Sequence, residues 1–191
     1  MRTLIAAATV LLFAVAASAD TVSDKFGNRV TQFHQYRTPY LTPDLDGDGI
    51  PDAVYLVRIA GGTPTRKIAA DVKVFSNLFK SKPLGDAPEN MAIAIVFGKS
   101  GKKVLVTGYR GDEYEDFFDA AWWNERTAPI RSVARGSHEF RVCDARYQFL
   151  EFDYLSLRAG EDYEQFLSWN GKDFWPEPIS PGMAPCGARK F

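Results

Sequence analysis

Histidine and cysteine are scarce in this chain, which has two of each among 191 residues. The sequence contains no H-E-x-x-H, no G-x-S-x-G and no P-loop pattern. The sequence therefore gives no motif evidence for a zinc protease, a serine hydrolase with a nucleophile elbow or a P-loop nucleotide-binding protein. The two cysteines are too far apart to form a C-x-x-C redox pair. With 23 basic and 24 acidic side chains, the charge balance also gives no electrostatic reason to expect a nucleic-acid partner.

The first 19 residues have the three parts of a secretory signal peptide. Arg2 supplies a positive start, residues 4–16 are apolar, and Ala17, Ser18 and Ala19 form a small-residue cleavage site. No later apolar stretch is long enough to span a membrane. We therefore expect an exported protein, periplasmic or extracellular, with no membrane span after cleavage.

The remaining residues, 20–191, are expected to form a single globular domain with an irregular C-terminal tail. Without Arg2 this part has 22 basic and 24 acidic side chains, a net charge of −2. In an oxidising compartment Cys143 and Cys186 are predicted to form a disulfide that ties the tail to the domain. Such a bond stabilises a fold by about 2–4 kcal/mol. Two separate thiols are the alternative.

The densest feature of the sequence is the segment 44–52, which places four aspartates in nine residues. The carboxylates of Asp44, Asp46, Asp48 and Asp52, together with the Ile50 carbonyl, are the oxygen ligands that Ca²⁺ takes in a tight loop. Aspartates also make turns through side-chain to backbone hydrogen bonds. That alternative accounts for one or two of them, but four like charges repel one another unless a cation neutralises them. The segment therefore predicts a structural calcium site.

This segment is not an EF-hand, because the bidentate glutamate of that motif would fall at Tyr55. The following residues, 53–59, are β-branched and aromatic and predict a strand. A loop of aspartates leading into a strand resembles the calcium loops of FG-GAP and VCBS-type repeats. The resemblance implies a calcium ligand set at Asp44, Asp46, Asp48 and Asp52. Those families repeat the loop to build propellers, whereas this chain has one copy, which does not support a propeller.

A second resemblance lies near the C-terminus. Trp169, Asn170, Gly171, Lys172 and Phe174 are similar to a W-(D/N)-G-K-x-F hairpin of small uncharacterised exported bacterial proteins. Some of those proteins also carry an aspartate loop near the N-terminus. The resemblance implies an α+β or mainly β fold, and it carries no activity.

We predict an α+β fold, built mainly from an antiparallel sheet with one or two short helices. The apolar run 91–97, the turn 98–101 and the strand 103–109 form the clearest hairpin, with 91–97 central in its sheet. A helix is predicted over 112–124. Residues 67–80 fit a helix or a strand, and we favour the helix. Strands are expected over 140–142 and 147–157, and a final hairpin is expected to turn at Asn170 and Gly171.

The sequence gives little evidence for a group of catalytic residues. His138 follows Ser137, but catalytic serine–histidine pairs meet by folding rather than by adjacency. Two carboxylate pairs fit a hydrolase, namely Glu113 with Asp116 and Glu151 with Asp153, the latter on one face of a strand. We therefore expect a non-catalytic binding or envelope protein, and a hydrolase with an unrecognised carboxylate site is the alternative. Trp123 is the candidate contact for a protein or glycan ligand, with core packing the default role of the tryptophans.

Overall fold

The structure is a computed structural model that describes residues 22–60, 68–76, 89–107, 130–141, 150–159, 163–172 and 174–178. Several predictions fall outside these ranges. They concern the signal peptide 1–19, the helix 112–124 with Trp123, Cys143, Cys186 and the tail beyond residue 178. No helix within the described ranges is long and apolar enough to cross a membrane.

The described part is mostly antiparallel sheet with two short helices, as the sequence predicts in its coarse form. One of the helices is a single turn at residues 138–141. The other elements, in chain order, are α1 (Val22–Phe26), β1 (Val30–Gln32), β2 (Ala53–Ala60), β3 (Val72–Ser76), β4 (Glu89–Val96), β5 (Lys103–Thr107), β6 (Ile130–Val133), β7 (Tyr154–Ala159), β8 (Tyr163–Trp169) and β9 (Phe174–Pro178).

The first sheet has the strand order β1-β2-β4-β5-β3. Its neighbours run antiparallel except β3, which pairs with β5 in parallel. The hairpin of β4 and β5 and the central position of β4 are confirmed. Residues 92–95 of β4 have no exposed surface, as expected for an apolar strand covered on both faces.

Alternation along β2 and β4 divides the core into two layers. Leu56 and Ile93 face the second sheet, and Val57 and Ala94 face the side covered by α1. This follows from the two-residue period of side chains along a strand. Full burial of an isoleucine or leucine side chain contributes about 1.5–3 kcal/mol to the stability of the fold. The aspartate segment ends directly before β2, so it is attached to one of these two well-buried strands.

The second sheet is an antiparallel meander of β6, β7, β8 and β9. Its inner face packs on the first sheet through residues that include Leu155 and Trp169. The Trp169 ring lies 4.9 Å from the Phe97 ring, centroid to centroid, and only 6% of Trp169 is exposed. Trp169 is therefore a core residue that joins the two sheets, which is the default role expected for the tryptophans.

The preference for a helix over 67–80 is wrong where the structure describes it, because Val72–Ser76 is the strand β3. Val72 and Val74 pack on the side covered by α1, and Lys73 between them is exposed. The two-residue alternation and the parallel pairing with β5 therefore outweigh the helical spacing of the apolar residues.

Two predictions near the second sheet also need correction. Phe140 and Arg141 belong to the helical turn 138–141 rather than to a strand. The Ser137 hydroxyl accepts a hydrogen bond from the Phe140 amide at 3.1 Å and caps this turn. In the last hairpin, Trp169 pairs with Phe174, so four residues connect the strands instead of the predicted two-residue Asn-Gly turn.

Candidate metal centre

The aspartate segment 44–52, called here the aspartate loop, is closed at its base by backbone pairing. Leu41 forms an isolated antiparallel bridge with Val54 of β2. The Asp52 amide donates to the Pro43 carbonyl at 2.6 Å. The backbone at residue 43 is therefore hydrogen-bonded to the backbone at residue 52, so the two ends of the loop lie close together.

Asp44, Asp46 and Asp48 converge inside this loop. One carboxylate oxygen from each lies within 4.8 Å of the others, and all three residues are partly buried. Ligands on opposite sides of a calcium ion, with bonds of about 2.4 Å, are separated by a similar distance. This group of three aspartates can therefore hold a metal ion.

Backbone amides hold these carboxylates in place. Asp44 accepts hydrogen bonds from the Asp48 amide at 3.1 Å and the Gly49 amide at 3.0 Å. Asp48 accepts one from the Ile50 amide at 2.8 Å. The turn-forming role of aspartate is thus real in this loop. It does not use up the carboxylates, since each has about four lone-pair positions.

The electrostatics of the loop favour a positive partner. Partial burial, followed by the charge of Asp48 and then that of Asp44, raises the pKa of the Asp46 carboxyl. A hydrogen bond from the Asp48 amide works in the opposite direction. A raised pKa means that the anionic form is costly in this position, and a cation would relieve that cost.

Asp52 occupies a different environment from the other three. It has no exposed surface, and its two oxygens accept hydrogen bonds from the Leu45 amide at 2.7 Å and the Gly98 amide at 2.8 Å. The pKa of Asp52 is raised to about 6, mainly by burial. The hydrogen bonds from the Gly98 and Leu45 amides act to lower it, and the charges of Asp46 and Asp44 act to raise it. Asp52 thus ties the loop to the β4–β5 turn.

Gly98 of that turn was not singled out from the sequence as part of the site. A Cβ at this position would lie 2.5 Å from the Pro51 carbonyl oxygen and 2.6 Å from the Ile50 side chain. The backbone of the turn therefore approaches the loop as closely as only glycine permits. The sequence does not predict this contact, because glycine is common in turns for several different structural reasons.

Phe152 and Asp153 also contact the loop. A Cβ on Gly47 would overlap the Phe152 ring, and Gly47 also has a φ of 71°. The Asp153 carboxylate accepts the Asp44 amide at 3.1 Å and the Arg135 amide at 2.7 Å. The segment just before β7 therefore joins the aspartate loop to the second sheet.

The predicted pairing of Glu151 with Asp153 on one strand face does not occur, because β7 begins at Tyr154 and both residues precede it. Asp153 is an anchor for two backbone amides, and Glu151 is exposed. Ser137 caps the helical turn, and His138 is exposed. His34 is exposed as well.

Ile50 is the exposed large apolar side chain of the loop, with 46% of its surface accessible. Its carbonyl and the Asp52 carboxylate stay predicted additional ligands. Glu113, Asp116 and Trp123 lie outside the described residues.

Comparison of the chain with protein-family models, curated proteins and solved structures found no match. The likeness to FG-GAP and VCBS-type loops therefore stays a resemblance carried by the loop residues. The site has to be interpreted from its own geometry.

Proposed function

We propose that this protein is an exported calcium-binding protein, with a structural Ca²⁺ held by Asp44, Asp46 and Asp48. The observation that carries the proposal is the convergence of three carboxylate oxygens within 4.8 Å. The Ile50 carbonyl and the Asp52 carboxylate complete the proposed ligand set. Asp52 accepts two backbone hydrogen bonds, which leaves lone pairs on both oxygens for a cation.

Calcium is the cation that suits these donors. The group consists of carboxylates alone, and hard oxygen ligands select Ca²⁺ or Mg²⁺ over Zn²⁺, which prefers histidine and cysteine. Calcium tolerates irregular geometry, whereas Mg²⁺ demands a near-ideal octahedron and keeps several waters. Extracellular calcium sites have dissociation constants of about 10⁻⁴–10⁻³ M, which agrees with the export predicted from residues 1–19.

A structural role agrees with how the loop is mounted. Asp52 connects the loop to the first sheet, and Asp153 connects it to the second. Within the described ranges, the candidate hydrolase pair of Glu151 and Asp153 lacks the expected shared strand face. We therefore favour a non-catalytic binding or envelope module over a hydrolase, with Trp123 retained as the proposed contact for a protein or glycan.

Thermal unfolding of the mature protein in millimolar Ca²⁺ and in chelator tests the proposal. At ten times its dissociation constant, a ligand of the folded state adds about 1.4 kcal/mol. For a domain of this size that is a rise in Tm of roughly 3–6 °C. Asp48→Ala should abolish the rise, whereas Asp71→Ala, which removes an exposed aspartate paired with Lys103, should retain it.

The proposal fails if Ca²⁺ leaves the wild-type Tm unchanged. It also fails if Asp48→Ala responds to Ca²⁺ as the wild type does. A rise of equal size with Mg²⁺ would keep the site but reject its selectivity for calcium.

A further inference from the structure

A surface pocket of about 470 Å³ lies next to the aspartate loop, between the helical turn 138–141 and the segment 150–152. Phe152 belongs to both features, since it lines the pocket and its ring covers Gly47 of the loop. The volume falls within the range of about 300–1,000 Å³ that is usual for small-molecule sites. Nothing in the calcium proposal uses this pocket.

Two arginines line the pocket, Arg135 and Arg141, and both are exposed. The Arg135 guanidinium lies 6.0 Å from the centre of the Phe152 ring. Arg141 donates from Nη1 to the Gly136 carbonyl at 2.5 Å. Neither guanidinium forms an ion pair with an acidic side chain in the described part of the chain.

The neighbouring Arg131, in contrast, forms an ion pair with Glu139. Its two terminal nitrogens bind the two oxygens of Glu139. Glu139 is thereby occupied, so it does not compensate the charge of Arg135 or Arg141. The lining residues include two arginines and one exposed carboxylate, Glu151, so their net charge is +1.

The rest of the lining is apolar. Phe140 and Leu150 are buried, with 5% and 6% of their surface exposed, and the half-buried Phe152 ring adds an aromatic wall. A ligand that uses the whole surface would combine an anionic group with an apolar or aromatic body. Arginine suits the anionic part, since its planar guanidinium binds carboxylate or phosphate oxygens in pairs.

We propose that this pocket is a binding site for a small organic anion. Arg135 and Arg141 bind the carboxylate or phosphate group, and Phe140, Leu150 and Phe152 contact the apolar body. Glu151 lies beside the anionic group and weakens its binding.

Titration of the mature protein with benzoate, phenyl phosphate and inorganic phosphate, followed by NMR shifts, tests this site. Benzoate and phenyl phosphate should bind saturably, and inorganic phosphate should bind more weakly because it lacks the apolar body. Arg135→Gln and Arg141→Gln should each weaken binding by about 10-fold. Glu151→Gln should strengthen it by removing a like charge.

Lys99→Gln is the matched control. It removes one positive charge from an exposed position in the β4–β5 turn, outside the pocket, and should leave the affinities unchanged. The whole series is run in chelator and again in Ca²⁺. Binding in chelator supports the pocket even where the calcium proposal fails, so the two failures are distinguishable.

Absence of saturable binding for both aromatic anions overturns the proposal. Equal weakening by Lys99→Gln and by the two arginine variants also overturns it, since that result means nonspecific charge attraction. A preference for phenyl phosphate or for benzoate identifies the anionic group without altering the site.

Discussion

The aspartate loop contains one residue type in two environments. Asp44, Asp46 and Asp48 are partly exposed, and their oxygens converge on one point. Asp52, four residues after Asp48, is fully buried and accepts two backbone amides from different parts of the fold. The three outer aspartates are thus candidate cation ligands only, whereas Asp52, proposed as a further ligand, also holds the loop to the rest of the fold.

The spacing of the aspartates indicates where a cation could bind, whereas their burial indicates which of them holds the loop to the fold. The outer aspartates are coupled, because the charges of Asp48 and Asp44 contribute to raising the pKa of Asp46. The inner aspartate depends on the fold, because its hydrogen-bond partners lie at Leu45 and Gly98. Variants of the two groups should therefore fail in different ways.

The largest effect is expected from Asp52→Ala. The change removes the acceptor of the buried Leu45 amide and of the part-buried Gly98 amide. A buried unsatisfied group costs about 1–3 kcal/mol, and the Gly98 amide costs less because water can reach it. Urea unfolding in chelator should show the free energy of unfolding falling by several kcal/mol. Asp48→Ala in the same medium should change it much less, since Asp48 is partly exposed. Equal losses for the two variants would remove the distinction between inner and outer aspartates.

A smaller effect on stability is expected from alanine substitutions at Gly47 and Gly49. Comparing the two separates the cost of backbone strain from the cost of a clash with the Phe152 ring. Gly47 and Gly49 have φ values of 71° and 83°, so alanine is strained at both positions. Only at Gly47 does an added Cβ meet the Phe152 ring, whereas at Gly49 it meets nothing within 4 Å. Gly47→Ala should therefore lower Tm more than Gly49→Ala, as measured by calorimetry. Identical Tm values would show that the ring moves aside at no cost.

The third effect is a pH dependence that belongs to Asp52. In the folded chain its pKa is about 6, raised from 3.8 mainly by burial. The folded state thus holds this proton more tightly than the unfolded state does. The resulting stability is fully present below pH 3.8 and is lost as the pH rises through 6. The charged groups that act on it are Asp46 and Asp44.

Unfolding of the wild type and of Asp52→Asn, both in chelator between pH 4 and 7, measures this contribution. The stability of the wild type relative to the variant should decline as the pH rises. Parallel curves would show that Asp52 titrates alike in the folded and unfolded chain.

Much of the first sheet is predictable from the sequence. The apolar run of β4 and the turn 98–101 specify a central hairpin, and the β-branched residues of β2 specify a strand, although not its pairing with β4. The helix expected at the edge strand β3 follows from the helical spacing of Ile68, Val72, Phe75 and Phe79. The strand state of β3 depends on pairing with β5, which lies about 30 residues further along the chain.

The candidate site is predictable only in its local part. Asp44, Asp46 and Asp48 are close in sequence, so their convergence follows from a tight turn. The contacts of Asp153 and Gly98 with the loop arise from tertiary packing, and no local pattern encodes them. For the same reason Phe140 and Arg141 looked like strand residues, although the Ser137 cap begins a helical turn there.

The hydrogen bond between the Asp44 amide and Asp153 joins residues that are 109 positions apart in the chain. Closing a contact over such a distance costs more chain entropy than closing the contacts within the loop. During synthesis all four aspartates emerge well before the residue that anchors them. The loop therefore gains the Asp153 anchor only after the segment before β7 is in place, whereas its contact with Gly98 is available once the first 98 residues are made.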